Sequence, residues 1–582
     1  MNVHLGGSRI RLNDTDLLGE GGEARVYRFG DQALKLFHTP TPQKAEKVLR
    51  FPQRLPAEVV APREAVHDDR GTVIGYAMPA VLGHDELARL TNRRWREGVV
   101  SNARVLELFD QAAGVLKRLH AAGVVVGDLN DGNVLFEKGL AFIDADSMQF
   151  AGLPCVVGHE KTLDPALYGV DLTSGPRFTP GTDWYAWHVL LFSSLLYVHP
   201  FGGVHPKLPT LLRRAQAGHS VLESDVLFPK SAVHWRVLPD EVLHHFTRVF
   251  KHGERGAPPP LPMGWAKCSC GLEHARAACP DCQTRGPAAA RQALRNHGRC
   301  RALSVFSTAG RVLEASLHGG LRYVYEENGV VRREDGALVL DGVASAGTRF
   351  VISGGSTWVA DRRGQVVRMQ SGRVAERAST GLRQSTPVLT DRYRLEQEWI
   401  VDHTSGARVG QILEGQTWLW SGARLGLGLY RAGDVAHVFL VHAGKAGLTP
   451  VRHVPGGRGP VVELRGRLVE AACVFDDGHA LLSAVTEHDG RESHELWLFN
   501  AAGQRLATGA ARSRHHALLA GRVVCATDAG LMSLKLDGGV LVEGTLFTDT
   551  EPFVSAGDEL LPQPDGSLLV VGTKEILQLS LS

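Results

Sequence analysis

Beyond residue 300 a glycine-containing turn returns about every 40 residues, and this constrains the fold more than any other feature of the chain. The turns hold Gly329, Gly364, Gly406, Gly444, Gly490 and Gly530, with a last one near Gly572, so the steps are 35, 42, 38, 46, 40 and 42 residues. Short apolar runs flank them: VYEENGVVRR, WVADRRGQVVRM, LVHAGKAGLTPV, VCATDAGLMSLKL and LVVGTKEILQLSL. Strand, tight turn and strand at that period is the signature of propeller blades, which stack radially and leave few strand edges open. About seven such units fit residues 301–582, hence an all-β propeller of about seven blades. A pair of β-sandwiches is the competing arrangement. Glycine, at 66 of 582 residues, shows no three-residue period, so its excess marks turns rather than a collagen-like rod. Trp418 and Trp420 are read as blade core, and nothing in this region groups His, Asp or Ser for catalysis.

Upstream of the repeats, GERGAPPPLPMGW (253–265) is a proline-rich break. It divides the chain into residues 1–255, a short segment 256–300 and residues 301–582. The short segment reads KCSCGLEHARAACPDCQ, with Cys268, Cys270, Cys279 and Cys282 in two turn-borne pairs. Four thiolates so spaced close a tetrahedral shell, which points to a structural Zn²⁺ in a small zinc ribbon joining its neighbours. His274 replacing one thiolate, or a redox pair at Cys279 and Cys282, are the other readings. The remaining cysteines, Cys155, Cys300, Cys473 and Cys525, have no paired spacing and read as packed thiols.

Eight cysteines in the whole chain are too few for a disulfide scaffold. The opening MNVHLGGSRIRLNDTD lacks the apolar core and cleavage pattern of a signal peptide. The longest apolar stretch, Trp184 to Val198, is too short to span a bilayer. A cytoplasmic protein with no membrane partner is the expectation. Lys plus Arg (64) nearly balances Asp plus Glu (62), which removes the electrostatic case for nucleic acid. The arginines after the ribbon (Arg291, Arg295, Arg299, Arg301) read as a solvated linker.

Residues 1–255 mix strand and helix patterns. LLGEGGEARVYRFGDQALKLF holds Gly19, Gly21 and Gly22, then Val26, with a strand on either side and Lys35 in a third. A dinucleotide fingerprint turns into a helix after its glycines. Here a strand follows, as in a phosphate lid whose bare backbone amides approach phosphate oxygens. Lysine on a buried strand needs an anion, met by nucleotide phosphates and by a carboxylate on PQKAEKVLRF, namely Glu46. Met78 lies where an adenine ring would be received. Ser101 to Ala122 is an amphipathic helix capped by Ser101 or Asn102. Directly after it, VVVGDLNDGNVLFEKGLAFIDADS delivers Asp128, Asn133 and Asp144 from successive loops. Phosphoryl transfer needs a carboxylate to orient the acceptor hydroxyl, and an amide oxygen and a second carboxylate to hold Mg²⁺.

These motifs resemble the eukaryotic-type protein-kinase fold, an α+β bilobal domain, over somewhat under half the chain. The closer likeness is to divergent bacterial kinase-like proteins of tellurite-resistance and stress operons. The resemblance implies Lys35 on the ATP phosphates, Glu46 pairing Lys35, Asp128 as catalytic base, and Asn133 and Asp144 as magnesium ligands, with Asp146 as the alternative to Asp144. Asp183 matches the aspartate that opens the large buried helix of the second lobe. Departures are Val126-Gly127-Asp128 for His-Arg-Asp, Asp144-Ala145-Asp146 for Asp-Phe-Gly, and Ala24 for the third loop glycine. None deletes a group that touches nucleotide or metal, but Gly127 removes the arginine that receives an activation-loop phosphate. The expectation is therefore an ATP- and Mg²⁺-dependent Ser/Thr protein kinase of bacterial stress or defence signalling, its propeller binding a protein substrate or partner. A nucleotide-binding pseudokinase scaffold and a small-molecule phosphotransferase are the alternatives.

Overall fold

The computed structural model describes residues 2–581 apart from 14–15, 21–22, 262, 281, 283–294, 318–319, 346, 381–386, 413–415, 423–424, 433–434, 444–450, 453–460, 489, 512 and 520. The chain is multi-domain and mostly β. It forms two compact units, Met1–Ala288 with His488–Arg491, and Ala289–Glu487 with Glu492–Ser582. The cysteine cluster falls in the first.

The first unit opens with an antiparallel sheet built from β1 (Asn2–Leu5), β2 (Ser8–Arg11), β3 (Leu17–Glu20), β4 (Ala24–Phe29), β5 (Gln32–Phe37), β6 (Glu64–His67) and β7 (Val73–Pro79), in the order β2-β1-β6-β7-β5-β4-β3. The β1–β2 hairpin turns through Gly6 and Gly7, at φ +56° and +78°, a two-residue turn that only residues tolerant of positive φ make cheaply. Between β5 and β6 lies α1 (Pro42–Leu49), with Thr41 accepting the Lys44 N–H at 3.2 Å and proline in its first turn. Lys35 on β5 stands opposite Val26 on one side and Tyr76 on the other.

The chain then enters its helical half: β8 (Asp85–Glu86), α2 (Arg93–Arg96), α3 (Asn102–Ala121), β9 (Val124–Val125), β10 (Val134–Phe136), β11 (Leu140–Phe142), β12 (Gln149–Phe150), α4 (Pro180–Leu196), α5 (Leu211–Gln216) and α6 (Asp240–Phe250). Ser101 caps α3, and Val105, Leu108, Phe109, Ala112, Leu116 and Leu119 form its buried stripe. The apolar stretch from Trp184 is α4, buried on nearly every side, which is why its sequence shows no polar face. Trp187 donates from Nε1 to the Phe109 carbonyl at 3.0 Å, satisfying the one polar atom that ring brings into the core. Small ladders β8-β10-β11 and β9-β12 lie at the edge of this half and carry the loops that matter below.

Two imidazoles in this unit are buried without charge. His188 is lodged between the Trp184 carbonyl and His245, and His199 donates to the Lys161 carbonyl while accepting the Phe201 N–H. Burial pushes both down to about 3. An unfolded imidazole titrates near ~6.5. Below that the unfolded chain takes protons that the folded one refuses, so stability is whole above pH ~6.5 and falls as pH drops toward 3, by about 1.4 kcal/mol per pH unit for each ring. In urea unfolding these two rings together are expected to contribute about 4 kcal/mol to the difference between pH 7 and pH 5, and replacing His188 with Gln removes about half of that contribution.

The second unit is propeller-like: its strands form antiparallel meanders of four. Sheets of four strands begin at Arg311–Ser316, Arg349–Ser353, Tyr393–Glu396 and Gln416–Ser421. An eight-stranded sheet is two further meanders, beginning at Arg467–Phe475 and His516–Leu519, whose last strands Arg505–Ala510 and Val540–Phe547 pair in parallel. The remaining sheet has five strands: Glu559–Pro562, Leu568–Val571 and Glu575–Leu581 from the end of the chain, and Cys300–Ser307 with Arg295–His297 outside it from the start of the unit. First strands of consecutive meanders lie side by side, as at Arg467–Phe475, His516–Leu519 and Glu559–Pro562. The sheets pack face to face, with Val524, Ala526, Leu531, Leu568, Val570 and Leu577 in one shared core. Trp418 and Trp420 are half-buried against another such core.

Gly329, Gly364, Gly406, Gly490, Gly530 and Gly572 all stand at the turn between the second and third strands of a meander, or at its edge. Gly444 differs. It lies outside the described residues, just after the strand Val435–Ala443. The third meander is also irregular, since its fourth strand is Val451–Arg452, paired in parallel. Among the described residues no helix is long and apolar enough to cross a membrane.

Candidate active site

Asp183 sets the frame. It lies in the first turn of α4, fully buried, where its carboxylate accepts the Val126 and Gly127 N–H groups at 2.8 Å each and His120 Nε2 at 2.9 Å. A buried carboxylate with three donors is satisfied, and the two backbone bonds fix the peptides that lead into Asp128. The Asp128 carboxylate is held in turn: Oδ1 accepts the His159 N–H at 2.8 Å, and Oδ2 accepts Asn133 Nδ2 at 3.1 Å. Asn130 Oδ1 closes this loop on the N–H groups of Gly132 and Asn133. Asn133 Nδ2 also donates to the Asp128 carbonyl, so its amide oxygen is the atom left to meet a cation. The Asn133 carbonyl accepts the Ile143 N–H at 3.0 Å, bringing the next residue, Asp144, beside it.

Asp144 sits at φ +60°, a left-handed conformation that aspartate adopts at a cost of about 1–3 kcal/mol. It pairs with Lys35 Nζ. Asp146, one short turn later, pairs with Lys35 at 2.7 Å and accepts Tyr76 OH at 2.5 Å. Burial works against the Lys35 charge, yet Asp144 and Asp146 together hold its pKa well above the ordinary lysine value. Desolvation raises Asp144, with Lys35 offsetting it only in part. At Asp146 burial is outweighed by Lys35 and the Tyr76 hydroxyl, so it ends below the usual carboxylate range. Two carboxylates against one ammonium leave the cluster net negative. Oxygen donors with net negative charge suit a hard divalent cation such as Mg²⁺.

Lys35, Asp128, Asn133 and Asp144 thus stand in one connected network. Glu46 does not join it: its carboxylate takes Arg50 at 2.6 Å on the exposed side of α1, so the expected Lys35–Glu46 pair is corrected to Lys35 with Asp144 and Asp146. The physical reason is helical phase. Lys47, the next residue, faces the site and donates to the Ser147 and Met148 carbonyls at 2.8 and 2.9 Å.

Above the network, Gly19 pairs opposite Val26 at the tip of β3–β4, while Gly21 and Gly22 lie outside the described residues. Val26 belongs to an apolar cluster with Ala33, Met78, Val81, Leu135 and Ile143. Here the sheet and the β10–β11 hairpin meet in an apolar cluster. The sequence reading had Val26 and Met78. Ala33, Val81, Leu135 and Ile143 were legible only as strand residues, since nothing in the one-dimensional pattern shows that separate strands converge.

Gly127 has φ +76°, and a Cβ there would lie 2.8 Å from Cys155 Cβ. Where the kinase pattern has arginine, Val125, Cys155, Leu167 and Phe178 fill the space with an apolar cluster, and burial pushes the Cys155 thiol up to about 12. Gly127→Arg is expected to cost about 3 kcal/mol in urea unfolding, from backbone strain and overpacking. Thr162, the one hydroxyl between Met148 and Leu167, is buried. Thr162→Ala is expected to leave any phosphotransfer rate within about twofold, because Gly127 stands where the kinase pattern has the arginine that receives a loop phosphate. The same segment is tied down by Asp164, whose two oxygens accept Arg255 Nε and Nη2 at 2.5 and 3.0 Å.

The cysteine ribbon belongs to the first unit. Its hairpin is β13 (Ala266–Lys267) and β14 (Glu273–His274). Cys268 and Cys282 Sγ are 3.6 Å apart, Cys270 and Cys279 3.7 Å, and all four converge. The edge of a tetrahedral four-sulfur zinc shell is about 3.8 Å, so the thiols fit a metal such as zinc. Glu273 accepts Asn102 N and Nδ2 at 3.0 and 2.8 Å, placing a carboxylate on the first turn of α3. The Ala275 N–H donates to the Val237 carbonyl at 2.9 Å.

No family model matches the chain. Two curated proteins do, both named Protein kinase YegI. That of Escherichia coli O157:H7 is 26% identical over 282 residues, covering 43% of this chain and 43% of the relative. That of Escherichia coli strain K12 is 26% identical over 282 residues, covering 42% of its own length. The match spans less than half of these relatives, and it gives the chain a distant similarity to a protein kinase.

Proposed function

We propose that residues 1–255 form a bilobal Ser/Thr protein kinase using ATP and Mg²⁺, that the four ribbon cysteines hold Zn²⁺, and that residues 301–582 form a seven-bladed propeller that binds protein substrates or partners in bacterial stress or defence signalling. The observation that carries this reading is the single network joining Lys35, Asp144, Asn133 and Asp128. In this reading Asp128 orients the acceptor hydroxyl and receives its proton, and Lys35 meets the phosphate oxygens. Asp144 and the Asn133 amide oxygen would hold Mg²⁺, which supplies charge neutralisation along the phosphates. The apolar residues around Met78 receive the adenine ring. Presence of every charged group in the network supports an active enzyme over a scaffold. The propeller-like unit supports a macromolecular acceptor, since such faces commonly bind proteins.

The test is incubation of the purified full chain with γ-labelled ATP and Mg²⁺, with and without EDTA, beside Lys35→Met. Label on protein, lost in the variant and with EDTA, is the expected result. Nucleotide binding without transfer would make the chain a pseudokinase scaffold. Turnover only on a hydroxylated metabolite would make it a small-molecule phosphotransferase.

A further inference from the structure

Lys35 takes its ion-pair partners from a turn rather than from α1. Its two carboxylate partners come from one turn, residues 144–146, and they are differently placed. Asp146 is 9% exposed and its Oδ1 accepts both Lys35 Nζ and Tyr76 OH, whereas the Asp144 side chain is 33% exposed. Tyr76 is fully buried and lies directly opposite Lys35 in the β5–β7 register, so the hydroxyl that orients Asp146 comes from the lysine's own sheet. We infer that Asp146, oriented by Tyr76, is the residue that positions Lys35, taking the task the kinase resemblance assigns to Glu46 and leaving Asp144 for the metal. The inference rests on the kinase reading above.

Charge and packing both carry it. One ammonium facing two carboxylates keeps a counter-ion when Asp144 engages a divalent cation. Were Asp146 absent, the lysine would be left buried and unpaired on its protein side, a costly state that favours collapse onto Asp144. Helix α1 still touches the site, but with reversed charge. Lys47 grips the Ser147 and Met148 carbonyls and so braces the turn that presents Asp146, while Glu46 faces Arg50. The carboxylates that meet Lys35 therefore come from the 144–146 turn and are oriented from the β5–β7 sheet, and α1 acts on them only by bracing that turn through Lys47.

The test is a pair of double-mutant cycles on the full chain, Lys35→Met with Asp146→Asn and Lys35→Met with Glu46→Ala, each read by kcat/KM for ATP and by urea unfolding. Asp146→Asn is expected to lower kcat/KM at least about 30-fold, and the Lys35→Met/Asp146→Asn double variant to fall no further than Lys35→Met alone. Glu46→Ala is expected to stay within about twofold and to combine additively. A merely structural Asp146 would lower the unfolding midpoint yet add to Lys35→Met in kcat/KM, which would overturn the inference. So would a Glu46→Ala loss matching Lys35→Met. Wild-type chain that binds no Mg·ATP marks failure of the kinase reading instead. The unfolding cycles then still decide the partner: coupling of Lys35 to Glu46 rather than Asp146 defeats the inference.

Discussion

Asp128→Asn is expected to lower phosphoryl transfer by about 10³-fold while leaving KM for ATP within about threefold. The amide is isosteric and its oxygen still accepts the His159 N–H; the Asn133 Nδ2 bond to the second oxygen is lost, but Asn133 keeps its bond to the Asp128 carbonyl. What it loses is basicity, and with it the place for the acceptor proton at the moment of transfer. A base felt only in the transition state shows in kcat and not in ground-state affinity. Steady-state kinetics on a phosphorylated peptide or on the chain itself check this. A kcat within tenfold of wild type would mean that Asp128 is a loop anchor and nothing more.

The second large effect concerns the ribbon. Stripping its metal, or Cys268→Ser, is expected to destabilise the first unit by about 5 kcal/mol, because Trp265, Leu272 and Ala275 pack on the main helical core and need the closed ribbon to stay there. Loss of Glu273 from the first turn of α3 adds to this. For a unit of this size the melting temperature should fall by roughly 10–20 °C. Differential scanning calorimetry, with zinc release followed by a chromophoric chelator after mercurial treatment, measures both quantities. Protein that carries no zinc and melts unchanged in chelator would remove the metal from the account.

How far these features were legible in the amino-acid order depends on the range of the interaction. Turn chemistry is local, so the glycines at the second-to-third strand turns could be read directly. Gly444 lies outside the described residues. Asp128, Asn133 and Asp144 share one short stretch, a loop followed by the β10–β11 hairpin. The lysine's partner was not legible in this way. Choosing between Glu46 and Asp146 requires the phase of an eight-residue helix against a turn about a hundred positions away, and a hydrogen bond from Tyr76 on a third element. The β1–β2 hairpin was missed for a related reason: four-residue strands carry too little periodicity to stand out.

One pairing bears on how the chain comes into being. Cys300 lies opposite Leu581, so a strand near the start of the second unit waits for the strand that ends it. During synthesis Met1–Ala288 has emerged long before that partner exists, and it begins to fold while the later sheets are still accumulating. Throughout that interval one flank of Cys300–Ser307 is an unsatisfied ladder, open to any passing strand. A premature stop shortly before Glu575 would leave it so permanently, and nascent chains would then be lost to aggregation rather than to any defect in chemistry.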